Sequence, residues 1–325
     1  MQGKVTLEDH FAIEATLGDS QPFGAHVWPE LRYRLLDFHD QRLRLMDASG
    51  VEIMIASLNA PAIQGITDVK RAADLARQAN DVLAAEVARR PSRFVGLAAL
   101  PMQDPDLATG ELRRCMTDLG FRGALVNGYS QAPDSNKPIH YDLPQYRGFW
   151  RTLSDFDVPF YLHPRPPMPG VSSLYDGHSW LFGPTWSFAA ETGLHAMRLI
   201  GSGLFDELPR LKIILGHLGE GLPFYLWRID NRNNWMKAPH KYDAQKPVAD
   251  YFRANFYITT SGHFSTPALI DSIAEIGADR IMYSVDYPFE DFSDAADWFD
   301  NAGISEADRL AIGRTNAMKL FGLGD

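Results

Sequence analysis

Short apolar, β-branched runs recur along the chain, separated by segments whose apolar residues return every three or four positions. The runs are VTLEDH (5–10), VEIMIASL (51–58), RFVGLAAL (93–100), FRGALVNG (121–128), VPFYLHP (158–164), LKIILGHLG (211–219), FYITTSG (256–262) and RIMYSVDYP (280–288). Helical spacing marks 71–90, 107–120, 189–205 and 266–277 between them. Most of the runs are continuously apolar rather than alternating, the pattern of parallel strands covered on both faces. Eight such strands alternating with helices predict an α/β fold, a (β/α)₈ barrel with helical and loop insertions. The competing architecture, an open doubly wound sheet, usually places a glycine-rich phosphate turn after its first strand. Here that turn reads EDHFAIEA and holds no glycine.

No Pro/Gly/Ser linker, repeat or low-complexity tract divides the chain, so residues 1–325 are expected to form one barrel domain. Two long connections stand out. Residues 164–185, rich in proline and aromatics, suggest an ordered lid or subunit contact. Residues 222–243 read as an amphipathic helix with a polar end.

Composition narrows the function classes. A formal net charge of −10 without a Lys/Arg block argues against nucleic acid or an anionic membrane as partner. It also means that a small acid would need a local positive centre in order to bind. The single cysteine, Cys115, excludes an intramolecular disulfide and reads as a small buried apolar residue. With no basic n-region followed by an apolar run at the start, and no apolar run of membrane length, a cytoplasmic protein is expected.

Barrel active sites gather at the C-terminal ends of the strands. Strand one ends in Glu8 and His10, which alternation puts on one face with Asp9 on the other. Strand two runs into Asn59, strand four into Asn127, strand five into His163, strand six into His217 and strand eight into Asp286. A single histidine after an apolar run is more often a hydrogen-bonded filler than a ligand. Three strand-end histidines with two carboxylates on the same rim raise the case for a metal. The other seven histidines (His26, His39, His140, His178, His195, His240 and His263) read as structural or peripheral. Glu8, His10, His163 and Asp286 make a mixed nitrogen–oxygen set with room for outside ligands, the layout of a catalytic site. Two carboxylates harden it, so Mn²⁺ competes with Zn²⁺.

The motifs EDH, LNAPA, ALVNG, FYLHP, ILGHLGEGLP and SVDYPFE, taken together, resemble the amidohydrolase superfamily, and within it the metal-dependent decarboxylase branch. That branch includes aminocarboxymuconate semialdehyde decarboxylase and the hydroxybenzoate decarboxylases. The likeness to the gamma-resorcylate (2,6-dihydroxybenzoate) decarboxylases runs nearly end to end. The resemblance implies that Glu8, His10, His163 and Asp286 hold one divalent ion, Mn²⁺ or Zn²⁺. Many hydrolases of the superfamily carry a bridging lysine after strand four where this chain has Asn127, which points to one ion rather than two. It also implies catalytic roles for Asp286, His217 and Glu220. Substrate contacts would come from Phe23, Asn127, Phe289 and Arg228, the last from a neighbouring subunit of a homo-oligomer, a tetramer.

The implied reaction is loss of CO₂ from 2,6-dihydroxybenzoate, with Asp286 protonating the ring. Without the resemblance, Phe23 and Phe289 read as ordinary core, and Arg228 as a surface arginine paired with Asp230 or Glu220. The alternatives are decarboxylation of 2,3-dihydroxybenzoate or a related hydroxybenzoate, and hydrolysis of an aromatic lactone. A non-enzymatic scaffold ranks behind these, because every expected rim position is filled.

Overall fold

The computed structural model describes residues 1–23, 25–131, 137–168, 170, 173–236 and 242–324, with backbone alone for 19–23. Each apolar run becomes a short parallel strand: β1 Lys4–Phe11, β2 Val51–Leu58, β3 Phe94–Gly96, β4 Ala124–Asn127, β5 Phe160–His163, β6 Ile213–Leu215, β7 Phe256–Thr259 and β8 Ile281–Met282. Strands pair with their chain neighbours in two runs, β1 to β3 and β4 to β8. A parallel bridge from Ala98 to Ala124 joins the runs.

Side-chain alternation splits the apolar residues into two layers. Val5, Leu7, Ile55, Leu97, Leu125, Tyr161, Ile214 and Met282 pack together with Tyr257, so all eight strands contribute to one inner cluster. Leu320 and Phe321 close its floor. Their strand neighbours, such as Val126, Phe160, Leu162, Leu215 and Ile258, join the larger cluster under the helices. This is the filled interior and outer helical layer of a (β/α)₈ barrel.

Two of the longer helices start at a side-chain cap. Asp68 accepts from Arg71 N ahead of Val69–Arg89, and Asp104 from Asp106 N and Leu107 N ahead of Pro105–Thr117. Cys115 is buried on the latter helix, and burial pushes its thiol pKa well up, consistent with an inert apolar role.

Several strands stop earlier than the apolar runs suggest. β6 ends at Leu215, so His217 lies beyond the strand rather than at its tip. The reason is local: the backbone leaves the ladder at Gly216 to enter a left-handed turn. Among the described residues of the long connection after β5, short turns form at Ser173–Tyr175 and Ser179–Leu181, and Leu174 and Trp180 are exposed. Helix Leu222–Trp235 buries Leu222, Pro223 and Leu226. Its outer side carries the aromatics Phe224, Tyr225, Trp227 and Trp235 together with the exposed Arg228, Arg232 and Asn234 of its polar end. Among the described residues no helix is long and apolar enough to cross a membrane.

Candidate metal centre

Two residues beyond the inner layer, alternation brings Asn127, His163, Gly216 and Thr259 to the mouth. β1 alone breaks the rule. Val5 and Leu7 face inward, so strict alternation would turn Asp9 inward and Glu8 and His10 out. Instead Leu7 pairs with Ile55 and Asp9 with the very next residue, Ala56, leaving Glu8 as an additional residue with φ of 60°. This is a β-bulge, which re-aims the side chains after it. Glu8 and His10 do share the site, as expected, but through the bulge. Asp9 is turned away toward Thr6 and Tyr287.

The four expected ligands converge. One donor atom each from Glu8, His10, His163 and Asp286 lies within 4.8 Å of all the others. His10 Nε2 is 3.2 Å from Asp286 Oδ1, and His163 Nε2 is 3.3 Å from Glu8 Oε1. The two imidazoles meet edge to face at 4.7 Å. Hydroxyls of Tyr161, Ser261 and Thr259 all donate to Glu8 Oε2. The other oxygen, Oε1, is buried without a hydrogen-bond partner, as is His10 Nε2. On the far side of its ring, His10 Nδ1 meets Ser57 Oγ at 3.2 Å. Buried polar atoms left open toward one point, with their opposite sides held, fit a divalent cation. Burial raises the Glu8 carboxyl, with the Asp286 charge adding to it and His217 opposing. Burial, helped by the charge of His10, drives His163 well below the usual imidazole range, so it is neutral and able to ligate.

Gly216 makes room for this carboxylate. A Cβ at that position would lie 2.6 Å from Glu8 Oε2 and 2.8 Å from Oε1. Gly216→Ala is therefore expected to displace Glu8 and weaken metal affinity by about 10–100-fold, the usual scale for disturbing a ligand's support. Calorimetric Mn²⁺ titration of the folded variant checks this.

Beyond Gly216 the chain runs through five consecutive positive-φ residues, His217, Leu218, Gly219, Glu220 and Gly221. The turn sets His217 Nδ1 2.9 Å from Glu220 Oε1, while Nε2 points back at Asp286 Oδ2 (3.8 Å) and Glu8 Oε1 (3.9 Å). Burial disfavours charge on His217, but the Glu220, Glu8 and Asp286 carboxylates outweigh it and raise its pKa well above the ordinary value. For Asp286 burial is again the opposing influence; His10 and His217 overcome it and hold the carboxyl down to about 2. With these directions the proton rests on His217 and Asp286 is ionised, so the two form a charged pair at the mouth. A cavity of about 800 Å³ opens from His217 and Glu220 outward between helices Ser187–Gly201 and Leu222–Trp235.

The family model described as Amidohydrolase matches residues 23–323. The chain belongs to the amidohydrolase family. A gamma-resorcylate decarboxylase of Rhizobium sp. is 62% identical over 99% of each chain. A crystal structure of 2,6-dihydroxybenzoate decarboxylase complexed with 2,6-dihydroxybenzoate superposes with a TM-score of 0.97 at 62% identity, covering 99% of this chain and 100% of that one. A dihydroxybenzoic acid decarboxylase from Polaromonas sp. JS666, solved with bound manganese and the inhibitor 2-nitroresorcinol, gives 0.97 at 60% identity over 99% and 98%.

The other expected site residues of this amidohydrolase fall as follows. Asn127 is buried beside His163 in register, donates to Asn59 O and keeps its Oδ1 without a hydrogen-bond partner. Phe289 lies 5.7 Å from the His10 ring. The Phe23 side chain lies outside the described residues. Arg228 is exposed on its helix and makes no ion pair among the described residues; Asp230, one suggested partner, accepts instead from Val248 N and Ala249 N. The remaining histidines divide. His140 pairs with Glu191, and His195 accepts from Tyr141 N. His39 pairs with Glu86, and His26 and His178 are exposed. His263 reaches the His217 carbonyl at 3.2 Å, while His240 is outside the described residues.

The anchors of Glu8 were missed: Tyr161, Thr259 and Ser261. A signal existed, since Tyr161 is two residues before His163 and must face the same interior.

Proposed function

We propose that this chain catalyses the metal-dependent, non-oxidative decarboxylation of 2,6-dihydroxybenzoate (gamma-resorcylate) to resorcinol and CO₂, a carboxy-lyase reaction. The observation that carries the reading is the convergence of Glu8, His10, His163 and Asp286 beside His217, in a chain matching a gamma-resorcylate decarboxylase end to end. A divalent ion held by those four residues, Mn²⁺ or Zn²⁺, would supply the positive charge that orients the substrate carboxylate and a phenolic oxygen and steadies developing oxyanion character. The relative's bound manganese and the two carboxylates favour Mn²⁺.

The chain's own groups move the proton. Asp286 donates it to the ring carbon bearing the carboxylate, which breaks aromaticity. The neighbouring His217, held by Glu220 and 3.8 Å from Asp286 Oδ2, is its proton source. The C–C bond then breaks, its electrons return to the ring, CO₂ leaves and aromaticity is restored. Asn127 and Phe289 border the substrate, and Phe23 is a further proposed substrate contact.

The large aromatics Phe224, Trp227, Trp235, Trp180 and Trp186 are all more than half exposed. They support a homo-oligomer, read here as a tetramer, in which Arg228 of one copy reaches the substrate anion of the next. Arg228→Met is then expected to raise KM for 2,6-dihydroxybenzoate about tenfold or more, the scale of one hydrogen bond to a charged group; steady-state kinetics checks it, and an unchanged KM removes the contact. In this reading the chain is one catalytic domain working in the cytoplasm on a small aromatic acid, with no nucleic-acid or membrane partner. The deciding experiment is a product assay of metal-depleted and Mn²⁺-restored enzyme on 2,6- and 2,3-dihydroxybenzoate and an aromatic lactone. CO₂ and resorcinol formed from the 2,6-isomer above the others sustain the proposal, while lactone opening alone overturns it.

A further inference from the structure

The seam between the first and last strands lacks ordinary pairing. Among the described residues no ladder joins β1 to β8, whose paired residues stop at Met282. What spans the seam at the mouth is a set of hydrogen bonds around Asp9, His10 and Tyr287. His10 N donates to Tyr287 O at 2.6 Å. The Asp9 carboxylate, fully buried, accepts from Tyr287 N (3.1 Å) through Oδ1 and from Thr6 Oγ1 (2.6 Å) through Oδ2. The His10 carbonyl accepts from Arg42 at 2.8 Å.

Arg42 is itself fully buried. It also donates to Asp37 O (2.7 Å) and Arg34 O (2.9 Å), and its guanidinium lies 4.9 Å from the rings of both Phe38 and Tyr287. Among the described residues it has no carboxylate within ion-pair distance. A fully buried guanidinium spent on backbone carbonyls is costly unless those carbonyls need fixing.

We propose that Asp9 and Arg42 form a buried clamp that replaces the missing β1–β8 rungs, fixes the bulge at Glu8, and so holds Glu8 and His10 in register with Asp286. They are positioning residues, acting through the ligands. Asp9 is also the residue that strict alternation would turn into the mouth; holding it outside is what permits its two neighbours to face in. The inference rests on the metal-centre reading above and extends it to residues that touch neither ion nor substrate.

The test uses the full-length enzyme. Asp9→Ala, Asp9→Asn, Arg42→Met and Thr6→Val are titrated with Mn²⁺ by calorimetry, and kcat and KM for 2,6-dihydroxybenzoate are measured at saturating Mn²⁺. Asp9→Ala and Arg42→Met are expected to lose about 10–100-fold in Mn²⁺ affinity, the scale of outer-shell changes, with kcat falling more than KM rises. Asp9→Asn can still accept from Tyr287 N and meet the Thr6 hydroxyl, so it should recover most of both. Thr6→Val, which removes one donor and is well placed to fold, should show a smaller loss of affinity. Wild-type Mn²⁺ affinity in folded Asp9→Ala, or in Thr6→Val should the former not fold, overturns the clamp while leaving the metal centre standing. A wild-type protein that binds no stoichiometric Mn²⁺ overturns the metal reading and the clamp with it.

Discussion

Asp286→Asn is expected to lower kcat for 2,6-dihydroxybenzoate by about 10²–10⁴-fold, the range that a positioned general acid supplies, even in protein that retains its metal. The substitution keeps size and shape but removes a carboxylate that lies beside both His10 and His217. Asp286 stands 3.2 Å from His10 Nε2 and 3.8 Å from His217 Nε2, the position that the proposed proton transfer requires. An asparagine can still face both histidines but cannot pass the proton on. Metal content per chain and CO₂ release, measured together, separate loss of the proton from loss of the ion. Near-normal turnover in metal-loaded Asp286→Asn would remove Asp286 as donor and leave His217 as the group to examine.

Removing the charge of Glu8 should do comparable damage by a different route. Three hydroxyls fix Oε2 of this carboxylate, so its unpartnered Oε1 has one orientation available. In Glu8→Gln the shape is kept, but the anionic donor is gone and an amide N–H competes for one of the two positions. The expected outcome is protein purified without stoichiometric metal. Its kcat should fall roughly 10³-fold, the equivalent of the several kcal/mol of charge stabilisation that a bound ion contributes. Chelator-treated wild type should lose activity similarly and regain it on adding Mn²⁺, whereas Glu8→Gln should not. Recovery of the variant on Mn²⁺ addition would show that three ligands suffice.

The sequence made the eight strands and most of the rim legible because apolar runs and strand-end residues are local signals. His163 and Asn127 needed nothing more than alternation, each lying two residues beyond an inward neighbour, Tyr161 and Leu125. Glu8 and His10 were found for a reason that the structure qualifies: they share a destination because the bulge reverses the parity set by Val5 and Leu7. A one-residue excess in a ladder depends on the partner strand and on the Asp9 contacts, which are 278 residues apart at Tyr287, so no local pattern reveals it. The turn at His217–Gly221 had a cue in Gly216, Gly219 and Gly221, but the left-handed conformation of His217, Leu218 and Glu220 is one that their residue types rarely adopt, so nothing local in the sequence signals it. Strand ends at β3, β6 and β8 were overextended because apolarity continues into loops that are themselves buried.

Seven non-glycine residues adopt positive φ among those described, and five of them, Glu8, His217, Leu218, Glu220 and Asp286, belong to the rim. Each such conformation costs of order 1–3 kcal/mol, so together they offset a large share of the roughly 5–15 kcal/mol that holds a typical domain folded. Glycine at any of these places would relax the backbone but would remove a side chain from the rim. Backbone strain in this barrel is therefore concentrated at the mouth, where side chains have to be held in place.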